Sequence, residues 1–178
     1  YDTTLRDGAQ AEGISFSTED KLDIATKLDL FGIDYIEGGW PSSNPKDSSF
    51  FDFAKNTSFS HAKLTAFGST RRVGMTCNND PSIQSIAESG VKCASIFGKS
   101  WDFHVTDALR ISLSENLEIV ADSVSYLKNR GMEVLFCAEH FFDGYANSPD
   151  YALNVLEAAE SAGADWLVLC DTNGGSLP

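Results

Sequence analysis

Basic residues are scarce in this chain. Its 178 residues include 13 Lys and Arg against 26 Asp and Glu, a formal net charge of −13. Such a balance excludes the broad positive face that a sequence-independent grip on nucleic acid or an anionic membrane requires. An anionic small molecule can still be met locally, by Arg6, Arg71 or Arg72. Long apolar runs are lacking too: none approaches membrane-spanning length, and no signal-peptide pattern is present. The four cysteines, Cys77, Cys93, Cys137 and Cys170, contain no C-x-x-C pair, and the last three fall in apolar, strand-like runs. That is the usage of a reduced, cytoplasmic protein with Cys as a small hydrophobe, not of a disulfide framework. A length of 178 residues, 42% of them hydrophobic, suits one well-buried domain.

What is present is a repeat. Ser17-Thr-Glu-Asp is a helix start, with Leu22, Ala25 and Leu28 at helical spacing behind it. Asn44-Pro45 and Asp80-Pro81 open two more helices, Ser114 starts the helix with the clearest apolar stripe, and Pro149-Asp150 opens another. Apolar strand-like runs cover 33–37, 63–67, 92–97, 132–138 and 166–170, and Tyr1 to Leu5 reads as a further short strand with β-branched Thr3 and Thr4. Gly32, Gly90, Gly131 and Gly163 each stop a helix and lead straight into a strand. Helix–Gly–strand units repeated in this way predict parallel strands joined by crossover helices.

Polar residues gather at the C-terminal ends of these strands: Arg6 and Asp7, Glu37, Arg71, Glu139, Thr172. An α/β barrel places its active site there. A Rossmann-type sheet competes, but no G-x-G-x-x-G follows the first strand. The expected fold is therefore a (β/α)8 TIM barrel, of which about six βα units fall in this sequence. Residues 1–178 read as the N-terminal portion of one barrel domain.

The densest chemistry is in Tyr1-Asp-Thr-Thr-Leu-Arg-Asp-Gly-Ala-Gln10. A cation, an anion and an amide crowd one strand end, which suits a site that holds a metal ion beside a developing oxyanion. A surface Arg–Asp pair beside a turn is the plain alternative.

That decapeptide resembles the signature of the metal-dependent acyl-CoA condensing and cleaving barrels: the 2-isopropylmalate, homocitrate and citramalate synthases and hydroxymethylglutaryl-CoA lyase. Tyr35-Ile-Glu-Gly-Gly-Trp-Pro41, Ser100-Trp-Asp-Phe-His-Val105, Ala138-Glu-His-Phe-Phe-Asp-Gly-Tyr145 and Leu169-Cys-Asp-Thr-Asn-Gly-Gly175 are most similar to the citramalate branch. The resemblance implies a Claisen-type condensation of acetyl-CoA with a 2-oxo acid, pyruvate first among them. It also implies a divalent metal (magnesium or manganese, with zinc as a further option) and a homodimer. By position, it makes Asp7 a metal ligand, Arg6 the oxyanion stabiliser and Glu139 an aid to proton transfer. Thr172 would bond the 2-oxo acid carboxylate. Gln10 and Glu37 belong to the substrate side, with Glu37 acting through Arg6. The His-x-His pair that supplies further metal ligands in this family is absent from these 178 residues, because His61, His104 and His140 lie far apart. His104 and His140 are expected to be satisfied loop or core residues, and the segment alone to bind metal poorly and not turn over. A sister synthase with a longer 2-oxo acid, a lyase running the reverse cleavage and a non-catalytic barrel remain as alternatives.

Overall fold

Each crossover of the chain begins with a capped helix. Ser17 and Asp20 close a reciprocal capping box at the start of α1 (Thr18–Phe31). Asn44 caps α2 (Pro45–Ala54) and Asp80 caps α3 (Pro81–Glu88), both with proline in the first turn. Ser112 caps α4 (Leu113–Lys128), and α5 (Phe141–Asn147) and α6 (Pro149–Ser161) follow. These are elements of a computed structural model that describes residues 1–177.

The strands are β1 (Tyr35–Gly39), β2 (Lys63–Ser69), β3 (Cys93–Lys99), β4 (Glu133–Glu139) and β5 (Trp166–Leu169). All pair in parallel, in the order β1-β2-β3-β4-β5. Sequential order with helical crossovers is the geometry of a (β/α) barrel segment, not of a doubly wound sheet, whose order reverses at a switch point. The four strand-leading glycines all take the left-handed conformation, φ 75–98°. A side chain would be strained there, which is why this one residue type marks four of the five helix-to-strand corners; the connection from α2 to β2 has no glycine.

Two expectations need correction. The stretch Tyr1 to Leu5 is not a strand: only Asp2 bridges, to Ile36. The Asp2 carboxylate accepts from the Thr4 N–H at 2.9 Å, and the Thr3 carbonyl accepts from both Arg6 N and Gly8 N at 3.1 Å. An Asx-type turn thus outcompetes the β-branched propensity of Thr3 and Thr4. The described residues consequently hold five named strands rather than six. The connection after β3 contains a π-helical turn over His104–Leu109.

The core lies between helices and sheet, with Ile36, Ala66, Ile83, Ile86, Ala94, Ile96, Val120, Val124 and Phe136 fully buried. On α4 the inward face is centred on Val120, Val124 and Leu127, as the sequence stripe predicts, but it also buries Asn116 and Ser123. Asn116 is satisfied by bonding the Lys99 carbonyl (2.9 Å) and the Tyr151 hydroxyl (2.8 Å).

Gly38 and Gly39 have a separate role at the end of β1. A Cβ on Gly38 would stand 2.5 Å from the Phe50 ring, and one on Gly39 2.7 Å from the Asp47 carboxylate. The bare backbone lets α2 close against the strand end. Buried Lys21 then reaches the Gly38 carbonyl (3.0 Å) and Asp47 Oδ1 (2.7 Å), while Asp47 Oδ2 accepts from the Trp40 N–H (2.9 Å). Neither charge faces water alone, so the pair tolerates burial.

Candidate active site

The C-terminal ends of the strands surround a cavity of about 840 Å³. Arg6, Asp7, Gln10, Glu37, Glu139 and Thr172 line it; Arg71 and Arg72, also singled out in the sequence, do not. The lining residues come from four places: the turn before α1, the middle of β1, the end of β4 and the segment after β5.

Arg6 is the most constrained of them. Its Nε donates to Glu37 Oε1, its Nη1 to Asp7 Oδ1 (3.1 Å), and its guanidinium lies 3.8 Å from the centre of the Phe67 ring. The planar cation is thereby stacked and bonded along one edge, leaving the remaining N–H groups for the cavity. Glu37 is 1% exposed, and its other oxygen accepts from the Tyr1 hydroxyl. Both Glu37 oxygens are thus committed, so it reaches a ligand through Arg6 rather than directly. Burial pushes the Glu37 carboxyl above the usual carboxylate range, against the pull of Arg6 and of the Tyr1 hydrogen bond. Phe67, Phe97 and Trp40 form an aromatic wall beside it, with ring centres 5.5–5.9 Å apart.

Asp7 is different: its side chain is 62% exposed. A hard, open carboxylate oxygen of this kind fits a magnesium- or manganese-type cation as one ligand. Among the described residues no group of three His, Cys, Asp or Glu side chains is arranged to hold a metal. Asp171, a further aspartate lining the cavity, spends its carboxylate on the Gly175 and Ser176 N–H groups (3.2 and 2.9 Å).

Glu139 closes β4, on the same face as Cys137, and pairs with Lys99 at the end of β3. Nothing in the sequence marked Lys99 as its partner; the in-register pairing of the two strand ends creates it. Thr172 is exposed at the rim, and its Oγ1 accepts from the His140 N–H at 2.8 Å. Gln10 lies exposed at the rim in a short 3₁₀ turn (Gly8–Gln10). On the floor, the neighbouring Cys170 thiol and burial push the Cys137 thiol up, and the Cys137 sulfur lies 3.3 Å from Ser95 Oγ. Arg71, a candidate for an anionic ligand, is instead engaged with Asp122 (2.7 and 3.0 Å) and the Met75 carbonyl (3.0 Å).

The histidines were read as separate and satisfied, yet two of them meet. The His104 and His140 rings sit edge to face at 4.7 Å, with Trp101 4.7 Å from His104. His104 Nδ1 and Trp101 Nε1 are buried without a hydrogen-bond partner among the described residues. Burial, with help from the charges of His140 and Lys99, holds the His104 pKa below its ordinary value.

The arrangement offers a stacked, fixed cation, an open carboxylate, a lysine-paired carboxylate and a hydroxyl around one cavity. Such a set can grip a small anion and stabilise charge that develops on its oxygen. The HMGL-like family model matches residues 1–178. An (R)-citramalate synthase of Aquifex aeolicus is 62% identical over 100% of this chain and 34% of its own length. A probable 2-isopropylmalate synthase of Methanopyrus kandleri is 34% identical over 100% of the chain and 33% of its own length. The chain thus spans about a third of the length of the curated relatives it matches. Among solved structures, the HMG-CoA lyase of Bacillus subtilis superposes with a TM-score of 0.74 at 21% identity, over 98% of this chain and 58% of that one, a likeness of fold.

Proposed function

The chain belongs to the HMGL-like family, and from that premise we propose that it carries the acceptor-binding part of an acyltransferase that condenses acetyl-CoA with pyruvate to form citramalate and free CoA. The observation that carries the reading is Arg6, held between Glu37, Asp7 and the Phe67 ring so that its free edge faces the cavity. The identity of 62% to a citramalate synthase, against 34% to a probable 2-isopropylmalate synthase, supports pyruvate over a longer 2-oxo acid.

The chemistry follows from the residues. A base removes a proton from the acetyl methyl, and the resulting enolate carbon attacks the ketone carbon of pyruvate. Negative charge moves to the former ketone oxygen, where Arg6 holds it at fixed distance and no reorganisation is needed. Water then cleaves the thioester and releases CoA. Glu139 assists proton transfer from its place at the cavity edge, oriented by Lys99. Thr172 bonds the pyruvate carboxylate, and Gln10 closes the rim. Asp7 contributes one ligand to a divalent cation whose other ligands lie outside these residues; that cation would polarise the ketone oxygen when bound. The acting unit is a homodimer, and no nucleic acid or membrane takes part. No helix among the described residues is long and apolar enough to cross a membrane.

The test is thiol release from acetyl-CoA by the full-length protein, with magnesium or manganese and a panel of 2-oxo acids. Release with pyruvate supports the reading. Release only with bulkier acids moves it to a sister synthase, and none with any acid, in folded metal-loaded protein, rejects it.

A further inference from the structure

His140 has an unusual backbone. It is one of two non-glycine residues with positive φ among the described residues, at φ 55°, ψ 36°. That conformation is sparsely populated for a residue with a Cβ and persists where the surroundings enforce it. The enforcing contacts are on three sides. The imidazole Nδ1–H donates to Asp143 Oδ2 at 2.9 Å, the His104 ring meets it edge to face at 4.7 Å, and the Trp101 ring lies 5.9 Å away. Behind them α5 approaches the segment after β3 so closely that a Cβ on Gly144 would stand 2.5 Å from the Ser100 carbonyl oxygen.

The turn has a consequence at the cavity. It aims the His140 N–H at Thr172 Oγ1, 2.8 Å away. Asp143 Oδ2 accepts a second bond, from Asn173 Nδ2 at 3.0 Å, so one carboxylate oxygen ties the end of β4 to the segment after β5. A hydroxyl has one proton. Because Thr172 Oγ1 already accepts from the backbone, its own O–H is left to donate into the cavity.

We propose that His140 and Asp143 form a clamp that positions the Thr172 hydroxyl as a hydrogen-bond donor to the carboxylate of a small 2-oxo acid. They are positioning residues, and the substrate half of this inference rests on the function proposed above. The imidazole ring fixes the backbone turn, the turn orients the hydroxyl, and the Asp143–Asn173 bond holds the Thr172 segment at the cavity.

Three variants of the full-length protein test this: Asp143→Ala, His140→Gly and Asp143→Asn. Glycine adopts the same backbone turn without strain, so His140→Gly removes the ring while sparing the fold. The first two variants should raise KM for the 2-oxo acid about tenfold, the loss expected for one hydrogen bond. KM for acetyl-CoA should not change, and hydrogen exchange of residues 171–176 should quicken. Asp143→Asn keeps an acceptor oxygen and should restore most of both. Unchanged exchange overturns the clamp, as does an equal loss toward both substrates. If wild type turns over no 2-oxo acid, the functional reading has failed, and the exchange rates alone still decide whether the clamp exists.

Discussion

The two ends of the strands carry nearly the same chemistry and do different things with it. At the N-terminal ends, Lys63 donates to Glu133 Oε2 (2.6 Å), the Tyr35 hydroxyl donates to Oε1 (2.6 Å), and Trp166 Nε1 donates to the Tyr35 oxygen (3.0 Å). At the C-terminal ends, Arg6 and the Tyr1 hydroxyl divide the two oxygens of Glu37, with Phe67 under the guanidinium. Each is a cation, a carboxylate, a tyrosine and a further aromatic ring. The carboxyls are pushed in opposite directions, however. Partial burial works against Glu133 ionising, but its bonds to Lys63, Tyr35 and Trp166 outweigh it and hold the carboxyl below the usual range. Burial of Glu37 wins over its partners and raises it. Only the second cluster lines the large cavity. Composition therefore does not separate a site from a plug. A void, and a carboxyl that burial pushes up beside a fixed cation, do.

The sharpest way to break this comparison is Arg6→Ala in the full-length protein. Activity should fall about a thousandfold, the upper range for removing one fixed oxyanion donor, and the melting temperature should fall too, because buried Glu37 loses its cation. A drop under tenfold would mean the cluster is structural at both ends.

Next in size is Asp47→Ala, which strands the buried Lys21 ammonium beneath the cavity. Removing one partner of a buried pair costs about 3 kcal/mol or more, to be read in denaturant unfolding. Lys21 and Asp47 also line the cavity, so activity should fall here as well, by less than at Arg6.

Glu133→Gln should cost about 1 kcal/mol, the scale of a charged hydrogen-bond partner made neutral in a partly exposed setting, and leave activity intact. The sign in pH follows from its lowered carboxyl. The ionised Glu133 adds stability above the unfolded carboxylate pKa and loses it as pH falls through the folded value. The variant should therefore show a flatter acid limb in melting temperature against pH.

Glu37→Gln is the smallest change in stability and the opposite in sign. A carboxyl whose folded pKa is raised disfavours the folded state above that pKa and relaxes as pH falls. Its removal should leave the melting temperature at neutral pH level or slightly higher, while activity drops because Arg6 loses half of its anchor. A marked fall in melting temperature would place Glu37 with Glu133.

Much of the barrel segment was legible because its signals are local. Ser17, Asn44 and Asp80 cap the helices they precede, and the glycines at 32, 90, 131 and 163 mark the corners. Within the site, Arg6, Asp7, Glu37, Glu139 and Thr172 were found by their places at strand ends and by likeness to a motif. What stayed hidden depends on tertiary pairing. Lys99 meets Glu139 only because β3 and β4 run in register, and Lys21 meets Asp47 only because two glycines let α2 close in. The His104–His140 contact joins residues from two crossovers, and no spacing announces it. The opening strand was misread because β-branching at Thr3 and Thr4 was weighed without the Asp2 side chain, which turns the backbone.

The most direct measurement is calorimetric binding of pyruvate to the full-length protein in three forms: wild type, Arg6→Ala and Glu133→Ala. Two like clusters with unlike roles predict that Arg6→Ala abolishes binding while Glu133→Ala binds as wild type does and melts lower. Equal loss of affinity in both, or retained affinity in Arg6→Ala, would contradict the assignment of the C-terminal strand ends as the site.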